Sequence, residues 1–268
     1  MDIYALPDWQ QIDFISDLHL QVESPATFTA FCSYLRHTPA DAVFILGDLF
    51  EVWVGDDVLS ADSAFEADCA AQLHAASQRL AIFIMHGNRD FLMGPALMHA
   101  CNATPVTDPC VLVTNPTRWL LTHGDALCID DAPYMQFRAQ VRTGAWQNTF
   151  LQQPLRQRLE AARHIRTQSE ARKRQGETYA DVDATTALQW LEKYQAQHMI
   201  HGHTHKPAHH PLDATHTRWV LSDWDWHANP PRADVLRLSL GEAARGNATP
   251  LQRLSLVEAG LNQPNLPG

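Results

Sequence analysis

Seven side chains that can bind divalent cations each follow a short apolar run of this sequence. They occur in five motifs: Asp17 and His19 in I-S-D-L-H-L, Asp48 in F-I-L-G-D-L-F, Asn88 in I-M-H-G-N-R-D, His123 in L-L-T-H-G-D, and His203 with His205 in M-I-H-G-H-T-H. Carboxylate and amide oxygens together with imidazole nitrogens suit ions such as manganese, iron or zinc. Seven ligands are too many for one ion and are enough for two ions that share a carboxylate. Two ions roughly 3.5–4 Å apart promote displacement reactions at phosphorus.

Asp48 has the properties of the shared ligand. Its carboxylate offers two oxygens, and the preceding Gly47 can turn the backbone without a Cβ clash. In a strand-like G-H-T-H segment, His203 and His205 face the same way, so that each can serve a different ion. A single histidine is weak evidence in a chain with 15 histidines. Five motifs that each end an apolar run indicate one common site.

The elements that must position these side chains alternate between strands and helices. The pattern predicts buried strands at Ile12–Ser16, Ala42–Leu46 and Leu80–Met85, helices at Pro25–His37 and Ala61–Arg79, further strands at Trp119–Thr122, Met199–Ile200 and Trp219–Leu221, and an antiparallel pair at Ala233–Leu240 and Leu251–Val257. Such alternation predicts βαβ units and a sheet covered on both faces. Ligands collect at the carboxyl ends of the strands in such sheets, which is where the seven side chains stand.

Composition limits the function classes. The chain has 268 residues, 45% of them hydrophobic, with a net charge of −10 and a pI of about 5.8. This charge argues against nucleic-acid binding by the molecule as a whole. Five cysteines without a C-x-x-C pair favour a reducing compartment. The N-terminus lacks a signal-peptide pattern, and no apolar run approaches the ~20 residues of a membrane span. We therefore expect a cytoplasmic protein that is soluble or peripheral to a membrane.

The segment Ala132–Gln175 interrupts the alternation. It has helical spacing, with Gly144 and Pro154 as breaks, and carries nine basic and two acidic residues, so that its net charge is +7 against −17 for the rest of the chain. A basic, amphipathic helical segment is typical of contact with an anionic surface or a phosphate. The alternative is a solvated helical face whose apolar side packs on the core. We predict a core of residues 1–131 and 176–268 and a helical insert of residues 132–175.

The ordered motifs D-x-H, G-D, G-N-R-D, H-G-D and G-H-T-H resemble those of the calcineurin-like metallophosphoesterase family, and the similarity extends from Ile12 to Trp226. The resemblance implies an α/β fold in which a β-sandwich is flanked by helices and the insert forms a lid. It also implies two metal ions, usually manganese. By resemblance, the first ion is bound by Asp17, His19, Asp48 and His205, and the second by Asp48, Asn88, His123 and His203.

Longer blocks are similar to family members that act in lipid A biosynthesis, namely L-G-D-L-F-E-V-W-V-G-D-D and H-G-D-A-L-C-I-D-D-A-P-Y. This similarity implies hydrolysis of the pyrophosphate bond of UDP-2,3-diacylglucosamine to UMP and 2,3-diacylglucosamine 1-phosphate. Water activated by the two ions would attack the phosphorus on the uridine side. The implied catalytic residues are Asn88, Arg89 and His203; the implied substrate contacts are Asn88, Arg89, Asp131, Ser169, Lys173 and His203, with Arg172 or Arg174 as alternatives to Lys173. The insert would supply an apolar trough for the acyl chains, and the enzyme would lie on the cytoplasmic face of the inner membrane, held at its anionic surface.

Arg89 stands where many relatives have histidine. An arginine stays charged and cannot protonate an alkoxide, but it can bind phosphate oxygens and stabilise growing negative charge. The site therefore suits a leaving group that needs no proton, such as a sugar phosphate released from a pyrophosphate. An alternative for Arg89 is a structural ion pair with Asp90 or Asp131. Two other functions remain open: another dimetal phosphodiesterase, acting on a cyclic nucleotide or a nucleotide diphosphate, and a non-catalytic scaffold of the same family.

Overall fold

The computed structural model describes residues 1–61, 64–174, 180–241 and 250–259, and of residues 166–174 only the backbone. The described residues form twelve strands: β1 (Asp2–Tyr4), β2 (Gln11–Ile15), β3 (Ala42–Leu46), β4 (Ala81–Met85), β5 (Thr104–Val106), β6 (Cys110–Val113), β7 (Arg118–Thr122), β8 (His198–His201), β9 (Ala208–Pro211), β10 (Thr217–Val220), β11 (Asp234–Ser239) and β12 (Leu251–Ser255). They also form seven α-helices: α1 (Pro25–His37), α2 (Phe65–Ser77), α3 (Pro95–Cys101), α4 (Ala132–Val141), α5 (Gly144–Leu151), α6 (Leu155–Arg174) and α7 (Ala184–Tyr194).

β3 shows why the strands at the centre of the fold are apolar throughout. All five of its residues are buried. Phe44 and Leu46 belong to a core cluster that includes residues of the opposite sheet, whereas Val43 and Ile45 belong to the cluster that includes helices α1, α2 and α3. Because successive side chains of a strand point to opposite faces, a strand covered on both sides must be apolar at every position.

Two six-stranded sheets are stacked face to face. The first sheet has the order β12-β11-β2-β3-β4-β5, with β2, β3, β4 and β5 parallel, and the second has the order β1-β6-β7-β8-β10-β9, with β7, β8 and β10 parallel. The core between them includes Phe14 and Phe44 of the first sheet and Leu112, Leu121 and Ile200 of the second. Helix α7 covers the outer face of the second sheet through Ala187 and Leu191. The result is a four-layered α/β/β/α arrangement.

The insert consists of α4, α5 and α6, with α6 starting directly after Pro154. Its apolar side packs on the core: Phe150 is buried, and Trp146, Leu155 and Leu159 contact the cluster beneath α1 and α2. This packing accounts for four of the insert's large apolar side chains, whereas Leu151 and Ile165 are exposed. Its role as a lid, and the division of the chain into core and insert, stay predictions.

The predicted fold class is confirmed as a mixed α/β fold with two sheets flanked by helices. Helix Pro25–His37 and strand Ala42–Leu46 have the predicted bounds, and β11 pairs with β12 in the predicted antiparallel manner. The sequence pattern gave no prediction for α3, α7, β1, β5, β6 and β9. None of the helices in the described part of the chain combines the length and apolar character that a bilayer crossing demands.

Candidate metal centre

The seven predicted ligands converge because five strands end at the same edge of the sandwich. Asp17 and His19 follow β2, Asp48 follows β3 and Asn88 follows β4, all in the first sheet. His123 follows β7, and His203 with His205 follow β8, in the second sheet. Parallel strands place their carboxyl ends side by side, so the two sheets contribute ligands from opposite sides of one cleft.

Backbone strain is concentrated at these positions. Seven non-glycine residues of the described chain have positive φ, and five of them are predicted ligands: Asp17, His19, Asp48, His203 and His205. The other two, Asn102 and Gln195, end helices α3 and α7 in the left-handed conformation that is common there. A positive φ is unfavourable for residues with a Cβ and persists where the surrounding structure imposes it, which happens most often at functional sites.

One group of donor atoms contains Asp17, His19 and His205. The Nε2 atoms of the two histidines are 3.3 Å apart, and the Asp17 Oδ1 atom lies 3.2 Å from His205 Nε2 and 4.0 Å from His19 Nε2. The second oxygen of Asp17 accepts hydrogen bonds from the Ser16 hydroxyl and, at 2.9 Å, from the backbone N–H of His203. Asp17 therefore directs one oxygen toward the two imidazoles.

A second group is built around Asn88. Its Oδ1 lies 2.9 Å from His123 Nε2 and 2.8 Å from His203 Nδ1. Asp48 Oδ2 is 3.8 Å from His123 Nε2, and donor atoms of Asp17, Asp48 and His123 all lie within 4.8 Å of one another. Asp17 thus belongs to both sets, and Asp48 stands beside the second group. The structure brings all seven predicted ligands together.

Two glycines make room for the carboxylates. A Cβ on Gly87 would lie 2.0 Å from Asp48 Oδ1, and a Cβ on Gly202 would lie 2.2 Å from Asp17 Oδ2. Gly47 has a φ of 91°, as expected for the residue that turns the chain before Asp48. Two carboxylates, one amide oxygen and four imidazoles in a tight cradle fit a pair of divalent ions.

The electrostatics of the cleft favour positive charge. Burial alone would lower the pKa of His123, but the carboxylates of Asp48, Asp17 and Asp125 raise it to about 9. Burial would likewise raise the pKa of Asp17, but His205 holds it well below the usual range. Burial and the neighbouring His123 lower the pKa of His203 to about 4, so this imidazole is neutral and can offer a ring nitrogen to a metal ion. The buried carboxylates of Asp17 and Asp48 are stabilised by nearby positive charge, which metal ions would supply.

Carboxylates and a carbonyl contact the far nitrogens of three histidines. Glu51 Oε2 lies 3.2 Å from His19 Nδ1, and Asp223 Oδ2 lies 3.6 Å from His205 Nδ1. His123 Nδ1 is within 2.9 Å of the carbonyl oxygen of Leu46. Such contacts orient imidazole ligands in metal sites. Sequence reasoning did not single out Glu51 or Asp223, although Glu51 stands only three residues after Asp48.

Arg89 lies beside Asp48, and its side chain is 31% exposed. Its Nη1 pairs with Glu51 Oε1, its Nε is 3.8 Å from Asp48 Oδ2, and its backbone N–H donates to Asp48 Oδ1. Among the described residues, the carboxylates within ion-pair distance of Arg89 are those of Glu51 and Asp48, so the alternative partners Asp90 and Asp131 are wrong. Both of these carboxylates accept backbone N–H groups. Asp90 accepts those of Leu49, Phe50 and Gly87, and Asp131 accepts that of Tyr134 at the start of α4.

The insert approaches the metal centre through α4. Tyr134 stacks on His203, its hydroxyl donates to Asp125, and Arg142 donates to the carbonyl oxygen of Gly87. Asp131, a predicted substrate contact, begins this helix. Ser169 and Lys173, together with the alternatives Arg172 and Arg174, lie in the part of α6 where only the backbone is described, so those predictions fall outside the described side chains.

The chain belongs to the calcineurin-like phosphoesterases, since the model of that family matches residues 11–207. Its similarity to curated proteins is more specific. It is 44% identical over 80% of this chain to a Chromobacterium violaceum protein, of which 90% is covered, and that protein is named UDP-2,3-diacylglucosamine hydrolase. Proteins with the same name are 40% identical in Bordetella parapertussis, over 82% of this chain and 88% of theirs, and 42% identical in Xanthomonas campestris pv. campestris, over 86% of this chain and 98% of theirs.

Proposed function

We propose that this chain hydrolyses the pyrophosphate bond of UDP-2,3-diacylglucosamine to UMP and 2,3-diacylglucosamine 1-phosphate. The observation that carries the proposal is the cluster of seven donors, whose two groups meet near Asp17 and Asp48 and lie directly beside Arg89. The named relatives support the choice of substrate within the family.

We assign the first ion to Asp17, His19, Asp48 and His205, and the second to Asp48, Asn88, His123 and His203. Manganese is our choice of ion. Two such ions, when bound, supply a hydroxide near neutral pH and withdraw charge from phosphate oxygens. Asn88 and His203 orient the phosphate through the second group, and Arg89 offers guanidinium N–H groups to the oxygens of the reacting phosphates.

The chemistry of Arg89 fits a pyrophosphate better than a simple ester. The pKa of a guanidinium is too high for it to act as an acid, so it cannot protonate a departing alkoxide. A departing sugar phosphate is stable as an anion and needs only charge stabilisation. Arg89 is 31% exposed in the cleft, so its guanidinium can reach such a leaving group.

We propose that the insert holds the acyl chains. Leu151 of α5 and Ile165 of α6 are large apolar side chains that are exposed to 40% and 42%. They lie on the same insert whose first helix contacts the metal centre through Tyr134. Asp131, at the start of that helix, and Ser169 and Lys173, in the last one, would contact the polar part of the substrate.

We also propose attachment to an anionic membrane surface on the cytoplasmic side of the inner membrane, where a diacyl substrate resides. The basic insert supports this only in part. Arg138 and Arg142 contact Asp125, and Arg158 contacts Asp57 and the carbonyl oxygen of Val54. Among the basic side chains of the insert that the structure describes, Arg138, Arg142 and Arg158 are thus engaged with the core. Sedimentation with anionic against neutral vesicles tests the attachment, and equal sedimentation with both would refute it.

Hydrolysis in ¹⁸O-labelled water tests the main proposal. The protein is stripped of metal with a chelator, reloaded with manganese and incubated with detergent-dispersed UDP-2,3-diacylglucosamine. The products are then analysed by mass spectrometry. We expect UMP that carries the label and unlabelled 2,3-diacylglucosamine 1-phosphate. Label in the sugar phosphate would place the attack on the other phosphorus. Turnover of a cyclic nucleotide in place of the lipid would favour another phosphodiesterase, and no turnover of any phosphoester would favour a scaffold.

A further inference from the structure

Glu51 touches two different parts of the site with its two carboxylate oxygens. Oε2 lies 3.2 Å from His19 Nδ1, the ring nitrogen that points away from Asp17 and His205. Oε1 pairs with Nη1 of Arg89. One carboxylate therefore connects a predicted metal ligand with the Arg89 guanidinium, to which we have assigned the phosphate contacts.

The carboxylate of Glu51 is held in place and shielded. Its side chain is only 8% exposed, and its backbone N–H donates to the carbonyl oxygen of Leu20, one residue after His19. Leu20 and Phe50 also form an isolated parallel bridge. Glu51 Oε2 lies within ion-pair distance of His19 Nδ1 but lacks hydrogen-bond geometry there, whereas Oε1 accepts a charge-assisted hydrogen bond from the Arg89 guanidinium. Because the carboxylate is buried, both contacts are screened less by solvent than those of an exposed ion pair.

We propose that Glu51 is a positioning residue that fixes His19 and Arg89 as one unit. Through Oε2 it holds the His19 ring with Nε2 directed at Asp17 and His205. Through Oε1 it holds the Arg89 guanidinium beside Asp48. The affinity for metal ions and the binding of the phosphates are then coupled through the side chain of Glu51. This inference rests on the proposed function for its catalytic half and on geometry alone for its metal half.

Asp223 provides an internal comparison. Its Oδ2 lies 3.6 Å from His205 Nδ1, so it faces the second histidine of the same group in the way that Glu51 faces the first. Its other described partners are Arg232, which binds it through two hydrogen bonds, and the hydroxyl-bearing Ser222, which donates to its backbone carbonyl. Arg89 is not among them. Asp223 should therefore share the metal half of the role of Glu51 and lack the catalytic half.

The test compares Glu51→Gln and Asp223→Asn with Glu192→Gln. Glu192 is an exposed residue of α7, and its substitution removes the same charge. Chelator-stripped proteins are titrated calorimetrically with Mn²⁺, which needs no substrate. Then kcat and KM are measured at saturating Mn²⁺, with Arg89 intact and in an Arg89→Ala background. Thermal unfolding of each variant monitors folding, and Glu51→Asp, which keeps the charge but is too short to reach both partners, serves as a second variant.

We expect both carboxamide variants to bind Mn²⁺ about 10- to 100-fold more weakly, and Glu192→Gln to bind it as the parent does. At saturating Mn²⁺, Glu192→Gln should keep the parental kcat/KM, whereas Glu51→Gln and Glu51→Asp should not; any loss in Asp223→Asn should be the same with and without Arg89. The remaining loss in the Glu51 variants should disappear in the Arg89→Ala background. Parental Mn²⁺ affinity in Glu51→Gln would overturn the metal half, whatever the substrate. An equal loss of kcat/KM in the Glu51 variants with and without Arg89 would overturn the coupling to Arg89. A parent that binds Mn²⁺ without cleaving UDP-2,3-diacylglucosamine would instead refute the proposed function.

Discussion

The phenol ring of Tyr134 lies against the imidazole of His203, with ring centroids 6.0 Å apart and an angle of 29° between the planes. The first residue belongs to helix α4 of the insert and the second to the G-H-T-H loop of the core. The Tyr134 hydroxyl donates to Asp125, which is fully buried and also accepts from Arg138 at 2.8 Å. Helix α4 therefore forms one wall of the metal centre and is bound to the core by buried polar contacts.

The first prediction tests this attachment with two arginines of the insert. Arg138→Ala removes the nearest cation of the buried Asp125 carboxylate, which keeps the Tyr134 hydroxyl and the more distant Arg142. Losing one partner of a buried charged group costs roughly 1–3 kcal/mol. Arg156 is 89% exposed and pairs with Glu160 one turn away, so Arg156→Ala should cost at most about 0.5 kcal/mol. Urea unfolding of the two variants measures both values. Equal effects would mean that the insert is not anchored through Arg138.

The second prediction uses two glycines. In Gly87→Ala the new methyl group would stand 2.0 Å from Asp48 Oδ1 and 2.3 Å from the Asp48 backbone nitrogen. Because neither atom belongs to a flexible chain end, Asp48 must shift, and we expect lost metal binding together with a destabilisation of about 1–3 kcal/mol. Gly144, at the start of α5, has nothing within 4 Å of its Cβ position, and Gly144→Ala should be neutral or stabilise by up to about 1 kcal/mol.

Metal analysis and thermal unfolding of the two glycine variants provide the comparison. A Gly87→Ala protein that keeps its full metal content would show that the cradle around Asp48 is looser than its contacts indicate.

The strand ends were the predictable part of this site. The apolar runs before Asp48 and His123 are buried strands. Parallel strands of one sheet end at the same edge, so convergence within each sheet follows from the sequence pattern, whereas the stacking that brings the two sheets together does not. The left-handed backbone at Asp17 or His205 could not be predicted, because neither residue type requires it and the contacts that impose it come from distant loops. The same holds for Glu51, whose two partners lie 32 residues before it and 38 residues after it.

The insert illustrates a second limit. Its helices and breaks follow from local spacing, but its charge did not reveal which arginines face the core. Arg158 is 3% exposed and binds the carbonyl oxygen of Val54, whereas Arg156, two residues earlier, points to solvent. Partner selection of this kind depends on tertiary packing and leaves no periodic trace in the sequence.

The third prediction concerns Asp48. Because its side chain is 2% exposed and its carboxylate lies within 4.8 Å of donor atoms of Asp17 and His123, Asp48→Ala should abolish turnover and lower the metal content of the protein. Asp48→Asn, which keeps one neutral oxygen, should retain part of the metal and little activity. Asp68→Ala, on the exposed face of α2, is the control and should behave as the parent does. Full activity of Asp48→Ala with both ions bound would refute the assignment of the metal centre.

The fourth prediction follows from the charge of Arg89. The parent enzyme should cleave a UDP-linked lipid faster than an alkyl phosphomonoester at equal manganese loading, because Arg89 stabilises an anionic leaving group but cannot protonate an alkoxide. Arg89→Ala should lose activity on the pyrophosphate. Arg89→His should lower pyrophosphate cleavage and increase relative activity on the monoester, since an imidazole can act as an acid. The ratio of the two kcat/KM values in each variant is the measurement. A parent enzyme that prefers the monoester, or an Arg89→His variant with an unchanged ratio, would show that Arg89 does not select the leaving group.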